Sequence, residues 1–71
     1  MMARVQWVMA AGGMWVPLDA RTNRQLELWW STHTGGYLTI PAFGASPVYV
    51  DTSRLFVQYG GNRYLIARRL S

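Results

Sequence analysis

Short apolar-rich segments punctuated by glycine pairs run through the chain, and one stretch alone carries a helical spacing. Arg4–Met9 (Arg-Val-Gln-Trp-Val-Met) reads as a first strand and Met14–Leu18 as a second, with Ala10–Gly13 turning the chain between them. Two such runs joined through glycine predict a hairpin. After Asp19, Thr22 is followed three residues later by Gln25, the pattern in which two side chains cap each other's backbone N–H. It predicts a helix over residues 23–30, with Asp19 as a competing start. Leu26, Trp29 and Trp30 stand at i, i+3 and i+4, one apolar stripe expected to face the core, and Gly35-Gly36 is expected to end the helix.

Extended segments fill the remainder. Tyr37–Pro41 is strand-like, and Ala42–Ser46 is a loop that carries Phe43. Pro47–Asp51 and Leu55–Tyr59 flank a short turn around Ser53-Arg54, and Gly60-Gly61 marks a tight hairpin into Arg63–Arg69. Strand, strand, helix and then three or four strands describe one α+β domain over residues 1–71, with its core over about 4–70.

Composition narrows the functions such a domain can have. With 71 residues there is room for one domain, and 51% hydrophobic residues supply enough apolar side chain to exclude disorder. Cys is absent, which suits a reducing compartment; cytoplasm or nucleus is the expected location. One His and three acids (Asp19, Glu27, Asp51) leave little from which to build a metal site or an acid/base pair, so no enzyme, metal or cofactor is expected. No apolar run approaches a membrane span and no signal peptide is recognised, so no membrane partner is expected. The net charge is +4, carried by seven Arg and no Lys. Arg grips phosphate with a flat fork and stacks on rings. With four Trp and four Tyr beside it, the pattern points to a ligand that has both phosphates and flat rings, unless Arg here only solubilises the surface.

Strand registers place particular residues together. A two-residue Ser53-Arg54 loop sets Tyr49 opposite Gln58, and a two-residue Gly60-Gly61 loop sets Gln58 opposite Arg63. The three then form a row across adjacent strands: a ring with a hydroxyl, an amide and a guanidinium. A one-residue change in either loop breaks that row.

Taken in order, Trp7, Gly12-Gly13, Trp15-Val16-Pro17-Leu18, Asp19 and Gln25-Leu26-Glu27-Leu28-Trp29 resemble the WWE domain. Val48-Tyr49-Val50-Asp51, Leu55-Phe56-Val57-Gln58 and Ile66-Ala67-Arg68-Arg69 are similar to that family's closing strands, so the resemblance runs from about Val5 to Arg69. The family is named for two Trp and one Glu, matched here by Trp7, Trp15 and Glu27.

The resemblance implies a small half-barrel of about six mostly antiparallel strands cradling one α-helix. It implies a non-enzymatic module that recognises ADP-ribose, or the iso-ADP-ribose unit of poly(ADP-ribose), beside ubiquitin-ligase or ADP-ribosyltransferase modules of a parent protein. Tyr49 and Gln58 match the family's pocket Tyr and Gln. The pocket Arg falls on Arg63 if the hairpin is short, or on Tyr64 if one counts back from Ile66-Ala67-Arg68. Met9 and Val16 occupy first-hairpin positions where the family often has aromatic pocket residues, and they complete the expected ligand set. Trp7 and Trp15 are expected to pack in or around the core. Glu27 is expected to bind an Arg or a backbone N–H, and His33 to act as a helix-end cation.

A second function class is a WWE-fold protein–protein docking module that has lost ADP-ribose binding; the apolar content around Trp29, Trp30, Phe43 and Tyr37 favours it. A third, a single-strand nucleic-acid binder, fits poorly because the Arg residues are scattered, so nucleic acid is not an expected partner.

Overall fold

The computed structural model describes residues 4–71, so the first three positions of the expected domain lie outside the described residues. Six strands and one helix follow one another as β1 (Val5–Ala11), β2 (Met14–Pro17), α1 (Ala20–Ser31), β3 (Gly35–Thr39), β4 (Pro47–Asp51), β5 (Phe56–Tyr59) and β6 (Asn62–Leu70). A single 3₁₀ turn, Pro41–Phe43, interrupts the connection between β3 and β4. The strands form one open antiparallel sheet in the order β2-β1-β6-β5-β4-β3. The architecture is thus the expected small α+β domain, with one helix and a six-stranded antiparallel sheet. The first and last strands are neighbours in the sheet, and the backbones of Arg4 and Ser71 extend their pairing with two further hydrogen bonds of 3.1 and 3.0 Å.

Two hairpins turn on glycine pairs for the same reason. Gly12-Gly13 have φ of 59° and 80°, and Gly60-Gly61 have 57° and 84°. Two consecutive positive φ values make the turn whose twist matches that of paired strands, and glycine adopts them without a Cβ clash. The β4–β5 connection departs from expectation. It runs over residues 52–55, rather than Ser53-Arg54 alone, and the Asp51 carboxylate caps it by accepting from the Ser53 and Arg54 N–H groups at 3.0 and 2.9 Å. Pairing stops one residue earlier on each strand, so the register is untouched.

The helix starts three residues before the expected Asn23. Asp19 is the cap: its carboxylate accepts from the Thr22 N–H at 3.1 Å and from the Thr22 hydroxyl at 2.6 Å. A carboxylate that takes both donors leaves Thr22 serving the first turn from inside, buried, rather than starting the helix. At the other end, Thr34 N–H donates to the Trp29 carbonyl at 2.8 Å and His33 N–H to the Trp30 carbonyl at 3.3 Å, with His33 at φ 55°. This closure ends the helix before Gly35-Gly36. The glycine pair instead opens β3, two residues ahead of the expected Tyr37. The backbones there approach so closely that a Cβ on Gly35 would run into the Val50 carbonyl oxygen, while Gly36 lies under the Trp29 ring.

Residues paired across antiparallel strands share a face, and neighbours along one strand alternate. Trp7 and Met9 of β1, Ile66 of β6, Val57 of β5, and Val48 and Val50 of β4 turn inward to meet Leu18, Leu26 and Ile40 in the main apolar cluster. Asn23 docks the helix on β1 where β2 does not reach. Its side-chain oxygen accepts from the Trp7 N–H at 2.6 Å, and its amide donates to the Val5 carbonyl at 2.9 Å. Trp7 is 0% exposed, as expected of a core ring. Trp15 is 43% exposed and is not a core residue. It lies opposite Ala10, the neighbour of inward-facing Met9, so alternation sends its ring to the outer face. The helical stripe also divides: Leu26 is buried, Trp29 half-buried and Trp30 exposed.

Candidate functional site

The outer face of β3–β6 carries a continuous row of polar and aromatic side chains. Tyr37 pairs with Tyr49, Tyr49 with Gln58, and Gln58 with Arg63. Alternation places all four on the side of the sheet away from the main cluster. The Tyr37 and Tyr49 rings meet edge-on with centroids 5.6 Å apart, and the Tyr49 ring lies 6.2 Å from that of Phe56, which is buried beneath the row. The Arg63 guanidinium sits over the Phe56 ring, 4.3 Å from its centroid. Its Nε donates to the Gln58 Oε1 at 3.2 Å. That bond fixes the Gln58 amide with its NH₂ group turned away from Arg63, and it leaves the terminal nitrogens of Arg63 for an outside acceptor.

An open concavity of about 510 Å³ lies along this row, lined by Tyr37, Pro47, Tyr49, Gln58, Tyr59, Gly60 and Gly61. Tyr37 is 75% exposed. Rings, an amide, a hydroxyl and a guanidinium on one surface offer stacking, hydrogen bonding in both directions and a fixed positive charge.

Three of the six expected ligand residues, Tyr49, Gln58 and Arg63, are brought together here, and three are not. Met9 is 4% exposed and packs in the apolar cluster, so its sulfur has no ligand face. Val16 is exposed, but it pairs with Met9 on edge strand β2, on the opposite face and three strands away from β5. Tyr64 pairs with Val57, faces inward, and holds its ring against Phe43 at 5.2 Å. Arg63 and Tyr64 are neighbours on one strand, so only one of them can join the row; the two-residue Gly60-Gly61 turn puts Arg63 there. Tyr37 is the member the sequence did not assign to the ligand set.

A separate cluster explains Glu27. Its Oε1 accepts from the Trp7 indole N–H at 3.0 Å and from Arg68 Nε at 2.8 Å, while Oε2 accepts from an Arg68 terminal nitrogen at 2.7 Å. The Arg68 guanidinium lies 3.9 Å from the centroid of the Trp30 ring. The Arg68 hydrogen bonds hold the Glu27 carboxyl below the usual glutamate range, against an opposing effect of burial; the Trp7 N–H adds to the lowering. Glu27 in turn raises the Arg68 pKa. At Asp19 the Thr22 hydroxyl is the main cause of a lowered carboxyl pKa. These are structural bonds: Glu27 ties the helix to β1 and β6 and presents no oxygen to the outer row.

Among the described residues no group of three or more His, Cys, Asp or Glu side chains is placed to hold a metal ion. No helix among them is long and apolar enough to cross a membrane. No family model, curated protein or solved structure matches the chain.

Proposed function

We propose that this chain is a non-enzymatic binding module of the WWE type, a half-barrel of six strands around one helix, that recognises ADP-ribose or the iso-ADP-ribose unit of poly(ADP-ribose). The observation that carries the reading is the in-register row of Tyr49, Gln58 and Arg63 on one face, with Tyr49 and Gln58 lining an open concavity and Arg63 beside it. Arg63 offers charge-assisted bonds to a phosphate. Gln58 both donates and accepts, as a pair of ribose hydroxyls requires, and Tyr49 adds a ring edge and a hydroxyl. The +4 charge favours approach of a polyanion. A module of this kind serves a ubiquitin-ligase or ADP-ribosylation system in the cytoplasm or nucleus.

Parallel calorimetric titration with iso-ADP-ribose, ADP-ribose, ATP and a short single-stranded oligonucleotide tests the reading. ADP-ribose units bind more tightly than ATP or the oligonucleotide. Gln58→Ala and Arg63→Ala each weaken that binding at least about tenfold, roughly 1.4 kcal/mol. Arg4→Ala, remote from the row, changes it by less than about twofold. ADP-ribose binding that survives both row substitutions contradicts the reading.

A second reading, a protein–protein docking module, is favoured by Met14, Trp15 and Val16. All three are exposed on edge strand β2, whose far side has no neighbouring strand. Absence of binding by all four ligands hands the assignment to this reading.

A further inference from the structure

We infer that Tyr37 is the ring platform of the outer-face site: the flat heteroaromatic ring of a nucleotide lies on its exposed face while Gln58 and Arg63 hold the sugar and phosphate. The inference rests on the nucleotide-binding reading above and names the subsite that the reading leaves open. Met9 and Val16, the two first-hairpin positions expected in the ligand set, where the family often has aromatic pocket residues, lie on the other face of the sheet. The site therefore has to supply stacking from its own aromatics. Tyr49 is hemmed by Tyr37 on one side and Phe56 on the other. Tyr37 is 75% exposed and has one aromatic neighbour, the Tyr49 ring that meets it at 61°. A ring braced at one edge and open elsewhere is already positioned, so little conformational freedom is lost when a base stacks on it.

The order of groups along the row fits a nucleotide. Tyr37, Tyr49, Gln58 and Arg63 stand on four adjacent strands, three inter-strand steps of about 4.8 Å each. A base on Tyr37 leaves the ribose over Tyr49 and Gln58 and the phosphates within reach of Arg63. Pro47 and Gly60-Gly61 line the same concavity; the glycines carry no side chain to fill it.

Titration of the full chain with ADP-ribose, AMP and ribose 5-phosphate, read by calorimetry and by NMR, tests the platform. Tyr37→Ala weakens ADP-ribose and AMP about tenfold, 1.4 kcal/mol, and leaves ribose 5-phosphate, which has no base, within about twofold. Tyr37→Phe keeps the ring and stays within about twofold of the parent for all three. Nuclear Overhauser contacts join the adenine protons to the Tyr37 ring. Because Tyr37 lies outside the core, its melting temperature serves as a check that Tyr37→Ala folds normally. Undiminished ADP-ribose binding by Tyr37→Ala, or an equal loss for ribose 5-phosphate, overturns the platform. If Gln58→Ala and Arg63→Ala weaken ADP-ribose while Tyr37→Ala does not, the platform falls and the ADP-ribose reading stands. If AMP depends on Tyr37 but ADP-ribose binds no tighter than AMP, the platform stands and the ADP-ribose reading falls. No binding of any of the three by the parent chain overturns both.

Discussion

Glu27 satisfies donors from two strands at once, and its removal is felt at each. The Trp7 indole N–H is fully buried and has the Glu27 carboxylate as its acceptor. Glu27→Ala leaves that N–H unpaired, which costs about 1–3 kcal/mol, and releases Arg68 from its position over Trp30. Trp15→Ala, in the same thermal melts, costs less than about 1 kcal/mol, because the ring lies on the outer surface; a larger loss contradicts that placement. The pH dependence has a definite sign. The Glu27 and Asp19 carboxyls are both lowered in the folded chain. Their contribution to stability is complete above the ordinary carboxylate range and is lost as pH falls through the lowered values. Glu27→Gln keeps an acceptor for Trp7 and softens this loss on acidification, whereas an unchanged acid limb contradicts the assignment. Residue type alone did not separate Trp7 from Trp15. Both are tryptophans in hairpin strands, and only the pairing of Ala10 with Trp15 tells which ring turns out.

At the level of elements, legibility followed how local the determining interaction is. The glycine-pair turns were readable because two consecutive positive φ values are a demand that glycine meets best. The row of Tyr49, Gln58 and Arg63 survived a wrong loop length, since lengthening the β4–β5 loop by one residue on each side preserves the pairing. The partner of Tyr49 on its other side was not readable. The connection over residues 40–46 includes a 3₁₀ turn and obeys no simple length rule, so the Tyr37–Tyr49 register does not follow from a turn type. The start of the helix was misplaced because Thr22 and Asp19 are both good caps, and the hydroxyl–carboxylate bond between them decides which one serves. Two substitutions check this account of the helix ends. Asp19→Ala removes the acceptor of the first turn and lowers stability by about 0.5–2 kcal/mol. His33→Gly relieves a left-handed backbone and raises stability by roughly 0.5–1 kcal/mol. A destabilised His33→Gly chain would show that the His33 side chain contributes more than its backbone conformation costs.

Across the whole molecule, the two faces of the sheet carry different side chains. The inner face and the helix hold the fold through the apolar cluster and the Trp7–Glu27–Arg68 bonds. The outer face leaves Tyr37, Tyr49, Gln58 and Arg63 outside that cluster. Separation of this kind lets the exposed outer side chains change while the core remains intact, so the proposed binding and the stability of the fold are expected to respond to different substitutions. The Arg and aromatic content of the composition points to a ligand with rings and phosphates, but composition does not say which face gathers these side chains. Alternation along each strand makes that choice, and it excludes Met9, Val16 and Tyr64. Chemical-shift mapping of the isotope-labelled chain during titration with ADP-ribose is the most direct measurement. The backbone amides of Tyr37, Tyr49, Gln58, Gly60, Gly61 and Arg63 move together in a saturable way, while those of Trp7, Met9 and Ile66 stay in place. Shifts centred instead on Met9, Val16 and Tyr64, or no saturable shifts at all, contradict the outer-face site.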